Sequence, residues 1–204
     1  MNEAALQAVI QGHARQLRTP TIARNFGAVA RRAQDEAWPY AEYLRELLEA
    51  ELRCRQENAS RRLLRQAAFP DLKTLEQLDW NALQGISRPK ILELANGHFV
   101  EAAEDVVIAG PIGTGKTHLA IALGVEAARR RLPVLFRKAA DLVRELLEAR
   151  DERVLGRLHR RYQKIPLLII DELGFVPFKR DGGELLFNLF SDRFTMNPFI
   201  EDHF

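Results

Sequence analysis

The sequence predicts an α/β protein: a parallel sheet flanked by helices and preceded by a small all-helical module. Three observations carry this. Apolar residues recur at three-to-four spacing through much of residues 1–66, the mark of amphipathic helices. Over residues 106–170, short apolar runs alternate with helical patterns, the rhythm of a parallel sheet buried on both faces. One of those runs, Leu167 to Ile170, is wholly apolar and ends in two carboxylates, Asp171 and Glu172.

Taken in order, Leu6, Val9, Ile10, Ala14 and Leu17 share one helical face. Thr19-Pro20 reads as an N-cap followed by proline at the first helical position. Trp38-Pro39 interrupts the pattern, because the residue before a proline avoids the α region. The spacing resumes from Tyr40 with Tyr43, Leu44, Leu47, Leu48 and Leu52, and reaches Leu64. Residues 1–66 are therefore expected to form a module of two or three helices, and residues 67–204 a second domain. The lead-in of that domain has a turn at Phe69-Pro70-Asp71, a short extended segment from Thr74 to Trp80, and a helix from Arg88 to Ala95 closed by Asn96-Gly97. A strand (Val106 to Ala109), a glycine-rich turn and a helix from Lys116 to about Arg130 follow. A strand from Pro133 to Phe136, helices from Ala140 to Ala149 and from about Asp151 to Lys164, and the strand from Leu167 complete the pattern.

Composition bounds the function. With 204 residues, 47% hydrophobic and 28% charged, the chain can bury a core, which excludes a disordered, collagen-like or rod-like protein. No apolar run approaches the roughly 18 residues of a membrane span, and no signal-peptide core opens the sequence. The lone Cys54 cannot form an internal disulfide, which points to a reduced, cytoplasmic setting. The net charge of +2 gives no bulk attraction to nucleic acid, although arginine, the better phosphate ligand, far outnumbers lysine. His13, His98, His118, His159 and His203 show no metal-ligand spacing. Trp38, Tyr40 and Trp80 read as packing residues.

The chemistry lies in Gly110-Pro111-Ile112-Gly113-Thr114-Gly115-Lys116-Thr117, which fits G-x-x-x-x-G-K-[ST], the P-loop, between a strand and an amphipathic helix. Glycines let the backbone turn its N–H groups inward, and with the following helix N-terminus they form an anion nest for the phosphates of ATP. Lys116 is expected to reach the β- and γ-phosphates, and Thr117 to place its hydroxyl on Mg²⁺. His118 borders the same site. About 50 residues on, at the end of a buried strand, Asp171 is expected to hold Mg²⁺ and Glu172 to polarise the attacking water. A third feature is a basic stripe. Arg153, Arg157, Arg160, Arg161 and Lys164 fall on an arc of roughly 100° of one helix, beside an apolar arc of Val154, Leu155, Leu158, Tyr162 and Ile165. The stripe suits DNA phosphates, the alternative being a solvated helix face or an interdomain contact.

GPIGTGKTHLAIALGVEA at 110–127, KAADLVRELLEAR at 138–150 and LLIIDELGFVPFKRDGGELLFNLFSDR at 167–193 resemble the IstB-like ATP-binding proteins, as does FPDLKTLEQLDW at 69–80. These are helper ATPases of bacterial insertion sequences, related to the helicase loader DnaC and the initiator DnaA. The resemblance covers about residues 40–193. It implies a P-loop NTPase fold of the AAA+ kind and ATP-driven homo-oligomeric assembly on double-stranded DNA. It also implies delivery of that DNA to a partner transposase, which the helper stimulates. The helices after the second strand would contact DNA, and the N-terminal module would mediate self-association or transposase contact. In the family, a further strand, a polar sensor residue, an arginine finger and a helical segment follow the position of Arg193. Phe194 to Phe204 does not read as that strand, and Asn197 takes no sensor role. The chain is thus expected to be a C-terminally truncated relative whose core lacks its last strands and whose ATP hydrolysis rests on motif alone. A helicase loader for replication and a catalytically silent nucleotide-binding interaction module are the alternatives. A small-molecule kinase is a distant one, because nothing resembles an acceptor-binding lid.

Overall fold

The computed structural model describes residues 2–80, 85–175, 180–194 and 199–203. It divides into two compact units, Met1–Ala59 and Ser60–Phe204. The division falls seven residues before the boundary expected at 66, inside a long helix.

The first unit holds α1 (Glu3–Gln16), α2 (Pro20–Asp35) and most of α3 (Tyr40–Gln66). The Asn2 side chain accepts from Ala4 N at 3.1 Å and caps α1. Pro20 opens α2 as expected, but the Thr19 hydroxyl turns back to Ala14 O and leaves the α2 amides uncapped. Glu51 of α3 takes over the cap. Its Oε2 accepts from Thr21 N at 2.8 Å and from Ile22 N at 3.4 Å, while Arg55 Nε donates to Oε1 at 2.8 Å. Glu51 is buried, yet its carboxyl lies below the usual carboxylate range. Burial pushes it up, and the Arg55 guanidinium and the two α2 amides outweigh that.

The second unit contains α4 (Arg88–Ala95), α5 (His98–Glu101), β1 (Val106–Ala109), α6 (Lys116–Arg129), β2 (Val134–Lys138), α7 (Ala139–Asp151), α8 (Leu155–Gln163), β3 (Leu167–Asp171), α9 (Arg180–Phe194) and β4 (Phe199–His203). The extended segment expected at Thr74–Trp80 is a 3₁₀ turn, Leu75–Gln77, where Thr74 N donates to the Gln77 side chain at 3.1 Å. The four strands are parallel in the order β1-β4-β3-β2. Period-two alternation splits β3 between two cores. Leu167 and Ile169 pack with Leu119, Ile121 and Leu123 of α6. Leu168 and Ile170 pack with Leu142 and Leu146 of α7, Leu158 and Tyr162 of α8, and Leu185 and Leu189 of α9.

Gly124 lets α6 approach the sheet. A β-carbon there would lie 2.5 Å from Ile169 Cδ1 and 2.9 Å from Phe69 Cζ. Phe69 in turn meets Phe136 at 6.2 Å between ring centroids. Next to Phe69, Ala67 O accepts from Phe136 N at 2.7 Å, so the chain after α3 supplies a partner for β2, a strand that otherwise lies at the sheet edge.

β4 corrects the expectation of a three-stranded core. Only Phe199 and Ile200 are apolar, followed by Glu201, Asp202 and His203, so no apolar run announced a strand. The strand forms nonetheless because β1 and β3 bond it from both sides, pairing Val106 with Ile200 and Ile169 with Ile200. Asn197 lies outside the described residues.

Candidate functional site

β1 ends at Ala109, and the chain passes through residues 110–115 into α6. Gly113 and Gly115 have φ of 82° and 85°, in the left-handed region. A β-carbon at either would meet nothing within 4 Å, so it is backbone conformation that requires glycine there. Thr114 Oγ1 donates to Pro111 O at 2.8 Å and tightens the turn. Lys116 Nζ folds over it, donating to Gly110 O at 2.8 Å and Pro111 O at 3.0 Å. Ile112, at the tip, is exposed. His118 reaches the other way, donating through Nε2 to Thr74 O at 3.0 Å and tying the lead-in segment to α6.

The two motifs meet. Thr117 Oγ1 donates to Asp171 Oδ1 at 2.9 Å, joining the first turn of α6 to the C-terminal end of β3. Asp171 is 3% exposed, and the next residue, Glu172, adopts φ 62°, unusual for a residue with a side chain. Glu172 Oε1 accepts from Lys138 Nζ at 2.7 Å. Lys138 and Asp171 stand opposite each other in the β2–β3 register, so both strand ends face the same side of the site. The hydrogen bond to Glu172 and its charge raise the Lys138 ammonium above its ordinary pKa. Lys138 went unnoticed in the sequence because β2 was expected to stop at Phe136. Its signal is a cation at the C-terminal end of an apolar strand.

The donor set of Thr117 and Asp171, a hydroxyl and a carboxylate, suits a hard cation held by oxygen ligands. Among the described residues, no group of three or more His, Cys, Asp or Glu could hold a metal by itself.

Of the basic stripe, Arg157, Arg160 and Arg161 are exposed on α8 while Leu158 and Tyr162 face inward, as expected. Lys164 caps the end of α8. Arg153 lies elsewhere: α7 continues through Asp151, and Arg153, at φ 59°, closes that helix as Val154 N donates back to Ala149 O at 2.8 Å. At the other end of α8, the buried Arg193 of α9 donates to Tyr162 O and, at 3.1 Å, to Ile165 O. Burial lowers its pKa to about 10. The cation sits where a helix C-terminus favours positive charge.

The profile of the IstB-like ATP binding protein family matches residues 12–200. The chain belongs to that family. This IstB-like chain is 39% identical over 161 residues to the insertion sequence IS21 putative ATP-binding protein of Pseudomonas aeruginosa, covering 79% of this chain and 61% of that protein. It is 33% identical over 191 residues to the IS5376 putative ATP-binding protein of Geobacillus stearothermophilus, covering 94% and 76%. Among solved structures, AMPPCP-bound DnaA from Aquifex aeolicus superposes with a TM-score of 0.56 at 23% identity, over 66% of this chain and 42% of that one. The DnaC helicase loader superposes with a TM-score of 0.53 at 21% identity, over 64% and 76%. At such identities the likeness is one of fold, that of a P-loop AAA+ domain. No described helix is long and apolar enough to cross a membrane.

Proposed function

We propose that this IstB-like chain binds Mg-ATP at Gly110–Thr117 and acts in the cytoplasm as a helper for DNA transposition. In this reading it assembles as a homo-oligomer on double-stranded target DNA and stimulates a partner transposase. The observation that carries the nucleotide site is the 2.9 Å bond between Thr117 and Asp171, which unites two motifs 54 residues apart. The transposition context is supported by the insertion-sequence relatives.

The chemistry follows from the site. Amides of the Gly113–Gly115 turn and of the α6 N-terminus receive the phosphates. Lys116 exchanges the carbonyls of Gly110 and Pro111 for phosphate oxygens, a stronger charge-assisted contact. Thr117 and Asp171 would hold Mg²⁺, which when bound neutralises charge on the β- and γ-phosphates. Glu172, once released by Lys138, accepts a proton from the water that attacks the γ-phosphorus, and ADP leaves. Arg157, Arg160 and Lys164, with Arg161 beside them, would meet DNA phosphates, whereas Arg153 closes α7 and is not on α8.

Calorimetry with Mg-ATP tests the nucleotide site. Binding is expected for the unaltered chain and loss of it for Lys116→Ala; tight binding by the folded variant would refute the assignment. DNA affinity, read by fluorescence anisotropy, is expected to fall in the Arg157→Ala, Arg161→Ala double variant and to weaken with salt; an unchanged affinity would refute the α8 interface. The fold likeness to the DnaC helicase loader supports the second reading, replication. Affinity capture separates the two: a transposase partner favours the first, a replicative helicase the second.

A further inference from the structure

Glu145 of α7 meets three partners. Tyr162, fully buried on α8, donates its hydroxyl to Oε2 at 2.6 Å. Arg161 Nη1 lies 3.3 Å from Oε1, and Arg137 Nε of β2 lies 3.7 Å from Oε2. The Tyr162 bond matters most, because a buried side chain fixes the carboxylate and spares the pair half of the ordering entropy that weakens surface ion pairs. Burial, and then Glu145, raise the phenol above its ordinary pKa, so it stays a donor at all physiological pH. The same carboxylate lines a groove of about 260 Å³ in which Glu145, Glu148 and Glu152 face Arg157 and Arg161. An acidic wall thus runs along one side of the cationic helix.

We infer that Glu145 is a built-in competitor for DNA phosphate at Arg161, withholding that one guanidinium from the interface, whereas Arg157 lines the same groove without a described ion pair to Glu145 and Arg160 is exposed. The inference rests on the DNA-binding reading of α8. It divides residues that the sequence groups together: Arg161 is already engaged with an anion in the absence of DNA, and a phosphate must displace that anion to gain the contact. DNA bound by this face therefore gains less from Arg161 than from its neighbours, and removing Glu145 adds a phosphate ligand.

The test is a double-mutant cycle on the full chain with a fluorescein-labelled DNA duplex, titrated by anisotropy over a series of salt concentrations. Glu145→Gln keeps an oxygen acceptor for Tyr162. It is expected to tighten binding about threefold and to steepen the slope of log K against log salt by about 0.9, one additional phosphate contact. Both gains should vanish when Arg161→Ala is added. Arg161→Ala alone should weaken binding less than Arg157→Ala does, which tests the idea even if Glu145→Gln folds poorly. A gain that survives Arg161→Ala would reflect general loss of negative charge and would overturn the inference. So would an unchanged affinity, or an Arg161→Ala loss equal to that of Arg157→Ala. No salt-dependent binding by the unaltered chain would remove the DNA reading itself, and this inference with it.

Discussion

At the scale of single residues, the site is defined as much by what restrains its charged groups as by the groups themselves. Glu172, the water-activating carboxylate of the proposed function, is held by Lys138 at 2.7 Å, and its backbone sits at φ 62°. A left-handed conformation costs a residue with a side chain about 1–2 kcal/mol, and such costs cluster where function over-determines geometry. Both partners of the ion pair are nearly half exposed, so the restraint is modest. Lys138→Met keeps the length of the stem and removes the charge. It is expected to raise basal phosphate release severalfold with little change in KM, measured with saturating Mg-ATP. Turnover below that of the unaltered chain would show instead that Lys138 assists the reaction. The residue types and spacing of Lys116, Thr117, Asp171 and Glu172 drew attention to them in the sequence, and the structure brings Thr117 and Asp171 within 2.9 Å; their phosphate and cation roles belong to the proposed function. Lys138 and Glu145 were not legible there, since their roles depend on neighbours distant in sequence.

At the scale of elements, Glu51 replaces the cap that Thr19 fails to give α2. Glu51→Gln is expected to destabilise the fold by about 1–2 kcal/mol through loss of charge-assisted bonds. The sign of the pH effect follows from its lowered pKa. The stabilisation is complete above the unfolded carboxylate value of about 4 and fades as pH falls through the lower folded value. The gap in Tm between the two proteins should therefore be widest near neutrality and close on acidification; a gap that persists in acid would refute the account. Helix starts were legible wherever proline marked them, as at Pro20 and Pro89. The end of α7 was not. Arg153 closes that helix in a conformation glycine usually supplies, so no sequence signal separated it from the stripe on α8.

At the scale of the molecule, the alternation of strands and helices made the parallel sheet legible, and the apolar β3 marked its centre. β4 escaped because pairing on both sides, and not its own composition, makes it a strand. Deleting residues 199–204 tests that view. It is expected to cost cooperative thermal unfolding and Mg-ATP binding together; a deletion protein that melts and binds as before would show that β1 needs no such partner. There is also a consequence for biosynthesis. Within the described sheet, β1 bonds only to β4, which leaves the ribosome after β1, β2 and β3. The sheet beneath the Gly110–Thr117 turn is therefore assembled only once β4 has emerged. Until then the nascent protein exposes an unsatisfied ribbon of backbone, and a helper on the ribosome would protect it from mispairing.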